Sequence, residues 1–202
     1  PKGKHLIHAN TPSYSGSHVT GFSVMTKAMV DYFAEPVAVK NRTINIVPGW
    51  VEPSDMREIK KLCRQMGIET IMFPDTSDVL GAPQTGHYEF YPKGGVTVDQ
   101  IRKTGASCAT LGLGHTGSTA AARALDVKCQ VPCEILDIPI GLAATDRFVD
   151  ALRRTAREKV PEYVEDERGR LVIISNSRPS SSSTYSGTFT RADLRSAATK
   201  RS

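Results

Sequence analysis

Short apolar runs stopped by proline or glycine alternate along this chain with longer stretches whose apolar residues recur every three or four positions. The runs read as strands and the longer stretches as helices packed by one face. Residues 4–9, around Leu6-Ile7, are expected to form a short strand. Residues 19–34 then place Phe22, Met25, Met29 and Phe33 on one helical face. A polar connector, 35–43, leads to a second strand, Ile44-Asn45-Ile46-Val47, stopped by Pro48-Gly49.

Asp55 followed by Glu58 reads as a capping box for a helix over 55–66, closed by Gly67, with Met56, Ile59, Leu62 or Cys63, and Met66 inward. A third strand over 68–73 ends at Pro74, and residues 75–95 are irregular, with the length of a functional or interface loop. Thr97 and Gln100 cap a short helix ending at Gly105. A strand over 106–113, an Ala-rich helix over 118–126 and a strand over 127–133 follow. Pro139-Ile140-Gly141 turns the chain, and Thr145 is expected to cap a helix over 145–159 with Phe148, Leu152 and Ala156 inward. Pro161 opens one more helix toward Arg170. This alternation predicts an α/β fold of Rossmann-like βα units with parallel sheets. After Val172 the periodicity stops, and the four serines at 180–183 begin a tail that reads as disordered.

Bulk properties narrow the function classes. The chain has 202 residues, 39% hydrophobic and 23% charged, an ordinary globular composition. It opens at Pro1, close to an apolar strand, so a piece of a longer protein is expected. No apolar run has the length of a membrane span and no signal-peptide pattern appears, which together with four sparse cysteines leads to the expectation of a cytoplasmic protein with reduced thiols. The net charge of +5 invites a nucleic-acid reading. However, Arg178, Arg191, Arg195, Lys200 and Arg201 against Asp193 place +4 of it after Val172. The remaining body is nearly neutral and offers no basic groove.

Candidate chemistry gathers in the hydroxyl-rich stretch Asn10-Thr11-Pro12-Ser13-Tyr14-Ser15-Gly16-Ser17-His18, where a strand's carboxyl end hands over to a helix. His8 and His18 flank its serines, but without a G-x-S-x-G elbow a hydrolase triad is poorly supported. Gly112-Leu113-Gly114-His115-Thr116-Gly117 matches G-x-G-x-x-G, and Glu134 lies where a ribose-binding acid could fall, so an NAD(P)-binding oxidoreductase is an alternative. The unit is not the first of its domain, and Pro132 disturbs the strand that would carry the acid. Asp75, Thr76, Ser77 and Asp78 carry hard oxygens, for which turn chemistry is a better account than a cation. Cys129 and Cys133 form a C-x3-C pair with no second pair at zinc-ligand spacing.

Several blocks, in order, resemble the β subunit of nitrogenase component I. They are the loop Asn10-Thr11-Pro12-Ser13-Tyr14 with Gly16-Ser17-His18-Val19-Thr20-Gly21, then Ile44-Asn45-Ile46-Val47-Pro48-Gly49, Arg57-Glu58-Ile59-Lys60, Pro74-Asp75-Thr76-Ser77-Asp78-Val79, Tyr91-Pro92-Lys93-Gly94-Gly95, Pro139-Ile140-Gly141-Leu142 with Thr145-Asp146, and Glu167-Arg168-Gly169-Arg170-Leu171. Trp50-Val51-Glu52-Pro53-Ser54-Asp55-Met56 and Phe73-Pro74-Asp75 look most like the vanadium-iron version.

The resemblance implies a fragment of a subunit that pairs with a homologous α subunit around an 8Fe-7S P-cluster, in a complex reducing dinitrogen to ammonia. It further implies a transient ATP-driven iron protein as reductant, a vanadium-iron cofactor held in α, and a small δ subunit. On it, residues 1–43 would end a first Rossmann-like domain, 44–172 would form a second, and 173–202 would be the tail. The β cysteines that hold the cluster lie upstream of this stretch in that family, and none of the four cysteines here matches one. Ser13 matches the serine that can ligate a cluster iron on oxidation, while Ser15 stands where an apolar residue is more frequent. The fragment is expected to be inactive alone. The resemblance also admits a homologous cofactor-assembly scaffold.

Overall fold

The computed structural model describes residues 4–80, 86–87 and 93–156. Nine elements follow in chain order among them: α1 His18–Phe33, β1 Ile44–Val47, α2 Pro53–Gln65, β2 Thr70–Met72, α3 Val98–Lys103, β3 Ala109–Leu113, α4 His115–Cys129, β4 Cys133–Leu136 and α5 Leu142–Ala156, with a 3-10 turn at Thr104–Ala106 after α3. The strands make one four-stranded sheet, order β2-β1-β3-β4, and every neighbouring pair is parallel. Parallel pairs need crossover connections, and the helices between the strands supply them. The expected α/β fold with a parallel sheet is the one observed.

Alternation along each strand divides the core into two layers. Ile44 and Ile46 of β1 and Leu111 and Leu113 of β3 face α2 and α5, meeting Met56, Ile59, Cys63, Phe148 and Leu152. Val47 faces the other side, where Val30 and Phe33 of α1, Ile101 of α3 and Ala121, Ala122 and Leu125 of α4 pack together. With both faces covered, all four residues of β1 are buried, Asn45 included. Asn45 is satisfied: its amide donates to the Thr104 carbonyl (2.8 Å) and Thr110 Oγ1 (3.2 Å), and its Oδ1 accepts from Ser107 Oγ (2.8 Å).

Several boundaries depart from the sequence reading. Residues 4–9 are not a strand; a strand exists only beside a hydrogen-bonding neighbour, and none is present among the described residues. Helix α1 buries Ser23, Thr26, Val30 and Phe33, so its inward face is rotated from the expected stripe and Met25 is exposed. The small residues win that side because α4 offers alanines, which let the two helix backbones approach closely. Helix α2 begins at Pro53 with Glu52 as its cap, so Asp55 and Glu58 form no capping box. The Thr97–Gln100 capping box is present.

Helix α4 starts earlier and ends later than the expected 118–126: it runs from His115 to Cys129, and the expected strand over 127–133 gives way to β4 at Cys133–Leu136. Val127 and Cys129 alternate with polar residues like a strand, but Leu125 and Cys129 are buried one helical turn apart while Val127 is exposed. Gln130 in the left-handed conformation then ends the helix. Helix α5 begins at Leu142, after Gly141 (φ +76°), and Thr145 Oγ1 donates to the Pro139 carbonyl without capping the helix. The rest of the helix expected to Lys159, the helix after Pro161 and the tail over 173–202 lie outside the described residues.

Candidate functional site

In a sheet of order β2-β1-β3-β4 the winding reverses between β1 and β3, and a ligand crevice is expected at the carboxyl ends of those two strands. Here that crevice is closed by protein. The turn after β1 lies directly on the turn after β3: a Cβ on Gly49 would overlap the Leu113 carbonyl oxygen, and one on Gly117 would come within 3.0 Å of the Trp50 amide nitrogen and 3.1 Å of Gly49 Cα. Gly117 of the 112–117 turn therefore serves the approach of two backbones, while Gly112 and Gly114 face the side chains of Ile135, Ser118 and Ile138.

The acid assigned to that alternative is also misplaced. Glu134 is the second residue of β4, level with Leu111 in the middle of β3 and short of the carboxyl end where the crevice lies, and pairs with Arg154 at 2.8 Å. At the crevice end stands Asp137, engaged by Arg147 (2.8 Å) and His115 (3.5 Å). The NAD(P) alternative is not favoured by this geometry.

The hydroxyl loop lies beside this filled crevice, leading into α1. Its residues 10–17 are exposed and line a concavity of about 230 Å³ together with His18, Thr20, Gly21 and Val24. Ser15 Oγ donates to the Pro12 carbonyl at 2.9 Å, closing the turn on itself. Ser13 makes no hydrogen bond among the described residues, so the local role open to a loop serine is filled by Ser15. Between them Tyr14 holds φ +61° with its ring fully exposed. A bulky L-residue in that region is strained, a feature that concentrates at functional loops. Neither His8 nor His18 hydrogen-bonds a serine among the described residues; His18 instead meets the edge of Trp50, at a centroid distance of 5.1 Å.

The other candidates resolve into structural roles. Lys60 Nζ sits among the oxygens of the 75–78 turn, 2.8 Å from Asp75 and 3.3 Å from Asp78, and its ammonium occupies the place of a cation. Burial pushes the Asp75 carboxyl up, but hydrogen bonds from Lys60 and Ser77 and the lysine charge outweigh it and hold it below the usual range. Burial pushes the Cys63 thiol up to about 12 and also raises Cys129; Cys133 is raised by burial and by Asp126. Such thiols resist becoming thiolates, the form that binds metal. No group of three or more His, Cys, Asp or Glu residues able to hold a metal ion occurs among the described residues.

Fold and site together define a doubly wound α/β unit whose own crevice is packed shut and whose polar loop is presented outward. A family model described as nitrogenase component 1 type oxidoreductase matches residues 1–175, and the chain belongs to that family. It is 50% identical over 174 residues to the nitrogenase molybdenum-iron protein beta chain of Clostridium pasteurianum, covering 86% of this chain and 38% of that protein. Against the vanadium-iron protein beta chain of Trichormus variabilis the identity is 29% over 167 residues, covering 83% and 36%. A solved structure of nitrogenase Cp1 at pH 6.5 superposes with a TM-score of 0.81 at 49% identity, covering 86% of this chain and 38% of its own. The chain thus spans 38% of the length of the Clostridium relative.

Proposed function

We propose that this chain is part of the β subunit of a nitrogenase component I, and that its share in reducing dinitrogen to ammonia is electron relay at an interface with a homologous α subunit. The observation that carries this reading is the hydroxyl loop: Ser13, unbonded among the described residues, sits next to a strained Tyr14 while Ser15 closes the turn. A P-cluster, when bound, stores and passes electrons; its cysteine ligands would come from segments other than the residues described. Ser13 Oγ would hold one iron of the oxidised cluster. An alkoxide is a harder donor than sulfide or thiolate and so favours oxidised iron, and release of the Ser13 hydroxyl proton would accompany electron loss. The division into an end of one domain (1–43) and a second domain (44–172) belongs to the same reading, as do a cytoplasmic location and an iron protein as reductant. No described helix is long and apolar enough to cross a membrane.

On metal type, the identities of 50% and 29% support a molybdenum-iron complex over the vanadium-iron one indicated by residues 50–56 and 73–75. The δ subunit expected with the vanadium form loses its support with it. In this reading the substrate-reducing cofactor is held in the α subunit, so the sequence of this chain carries its metal only indirectly. Metal analysis of the purified complex decides: molybdenum is expected, and stoichiometric vanadium would reverse the assignment.

The role of Ser13 is tested in the complete α/β complex. Ser13→Ala is expected to change the EPR spectrum and midpoint potential of the oxidised P-cluster while leaving the reduced cluster unaltered. Identical oxidised spectra and potential in both proteins would remove Ser13 from the relay. A cofactor-assembly scaffold would be favoured instead if the purified complex formed no ammonia.

A further inference from the structure

We infer that Trp50 is a positioning residue that fixes the loop carrying Ser13, by clamping the first turns of α1 to the closed crevice of the sheet. The inference rests on the reading of Ser13 as a conditional iron ligand. Among the described residues, no hydrogen bond or ion pair ties residues 10–17 to any element but α1: Ser15 bonds Pro12 within the loop, and Thr20 and Gly21 of α1 donate to the Ser17 carbonyl. Ser17 provides no side-chain cap to α1. The loop is therefore placed by whatever holds the start of that helix.

Trp50 holds it. The ring meets His18, the first residue of α1, at a centroid distance of 5.1 Å and 69°, and Phe22, one turn on, at 5.1 Å and 85°. Both are edge-to-face pairs, attractive beyond the area they bury. At its other end Trp50 is rooted where the chain has least freedom. Its amide nitrogen faces Gly117 at the start of α4, and the preceding Gly49 lies against the Leu113 carbonyl. Trp50 thus joins the ends of β1 and β3 to the helix that begins five residues after Ser13. Gly16 tightens the remaining span, since a Cβ there would come within 2.8 Å of Thr20 Oγ1.

A ligand that binds only in one oxidation state must wait within reach of the iron in the other, and a small displacement costs much of that proximity. Trp50 would hold Ser13 at that waiting position through His18 and Phe22, at the start of α1. The burial of Trp50 is partial, 54% of it being exposed, so a replacement leaves both core layers intact.

The test uses the complete α/β complex with Trp50→Leu, which keeps apolar bulk, Trp50→Phe, which keeps an aromatic edge, and Ser13→Ala. In Trp50→Leu, amide exchange over residues 20–26, the hydrogen-bonded first turns of α1, is expected to accelerate about tenfold, the order that two lost ring pairs produce. The oxidised-cluster potential should move in the direction of Ser13→Ala, Trp50→Phe should restore both readouts, and Trp50→Leu should add nothing further in the Ser13→Ala background. Unchanged exchange in Trp50→Leu overturns the clamp. Faster exchange with a wild-type potential, while Ser13→Ala shifts it, overturns the positioning role and leaves Ser13 standing. A silent Ser13→Ala overturns the ligand reading itself and with it the positioning of a ligand, whatever the exchange rates show.

Discussion

Gly105 illustrates how one residue carries a meaning its neighbours in sequence do not disclose. Read locally, it is a helix stop after the 97–105 stretch. In the fold it lies inside the 3-10 turn Thr104–Ala106 and is buried, with no left-handed φ to explain it. Its requirement is proximity: a Cβ would overlap the Glu35 carbonyl oxygen and come within 3.0 Å of Cys129 Sγ. Lys40 Nζ completes the junction by donating to the Gly105 and Cys129 carbonyls, at 2.7 and 2.6 Å. Because the first obstacle is backbone, Gly105→Ala is expected to destabilise the chain by about 3 kcal/mol, the upper end for overpacking, as read by urea unfolding. A loss below about 0.5 kcal/mol, the range of neutral surface changes, would show that the junction relaxes. Ser13 and Ser15 make the same point at the loop. Two serines two positions apart are equivalent as residues, and only the hydrogen bond from Ser15 to Pro12 separates their roles.

Between elements, the clearest latch joins α2 to the loop leaving β2. Lys60 reaches Asp75, Ser77 Oγ and Asp78, Arg57 donates to the Ser77 carbonyl at 2.7 Å, and Asp75 accepts from the Ser77 amide and hydroxyl. Since the Asp75 carboxyl is held below its unfolded value, it stabilises the fold above the usual carboxylate pKa and loses that contribution as pH falls through its folded value. Lys60→Met is expected to cost about 1–3 kcal/mol at pH 7, discounted from a fully buried pair because Lys60 is partly exposed. The difference from wild type should shrink toward zero near pH 2. Denaturant unfolding at both pH values checks this, and a difference that does not change with pH would show that Lys60 acts through packing alone. The sequence anticipated turn chemistry here but not the lysine, which arrives from 15 residues upstream of Asp75.

For the whole molecule, the closed crevice makes a prediction opposite to the one its motif invites. NAD(P) titrated into the full chain should give no saturable binding up to about 1 mM, a weak-binding limit. Saturation below that would mean that the Gly49–Gly117 contact opens. Sheet class, the helical faces of α2 and α5 and the Thr97 cap were legible because each is written in local periodicity or in residues three apart. The strand expected at 4–9, the orientation of α1 and the extent of α4 were not, because each depends on a distant neighbour. The candidate loop was visible as a cluster of hydroxyls, and Ser13 was singled out through family blocks, not through its own chemistry. Trp50 was missed as anything but part of such a block, since an aromatic after Pro48-Gly49 carries no local signal of its partners His18 and Phe22.

By itself, then, the sequence determined that strands and helices alternate, that the sheet is parallel, and which family the chain resembles, since these follow from patterns that adjacent residues complete. Only the tertiary structure decided that the glycine turn is packed shut, that Lys60 fills the acidic turn, and that Ser15 rather than Ser13 closes the loop. Those outcomes turn on which groups from distant positions meet within a few ångströms, and the physical cause is close packing: once two backbones occupy a crevice, no motif can place a ligand there.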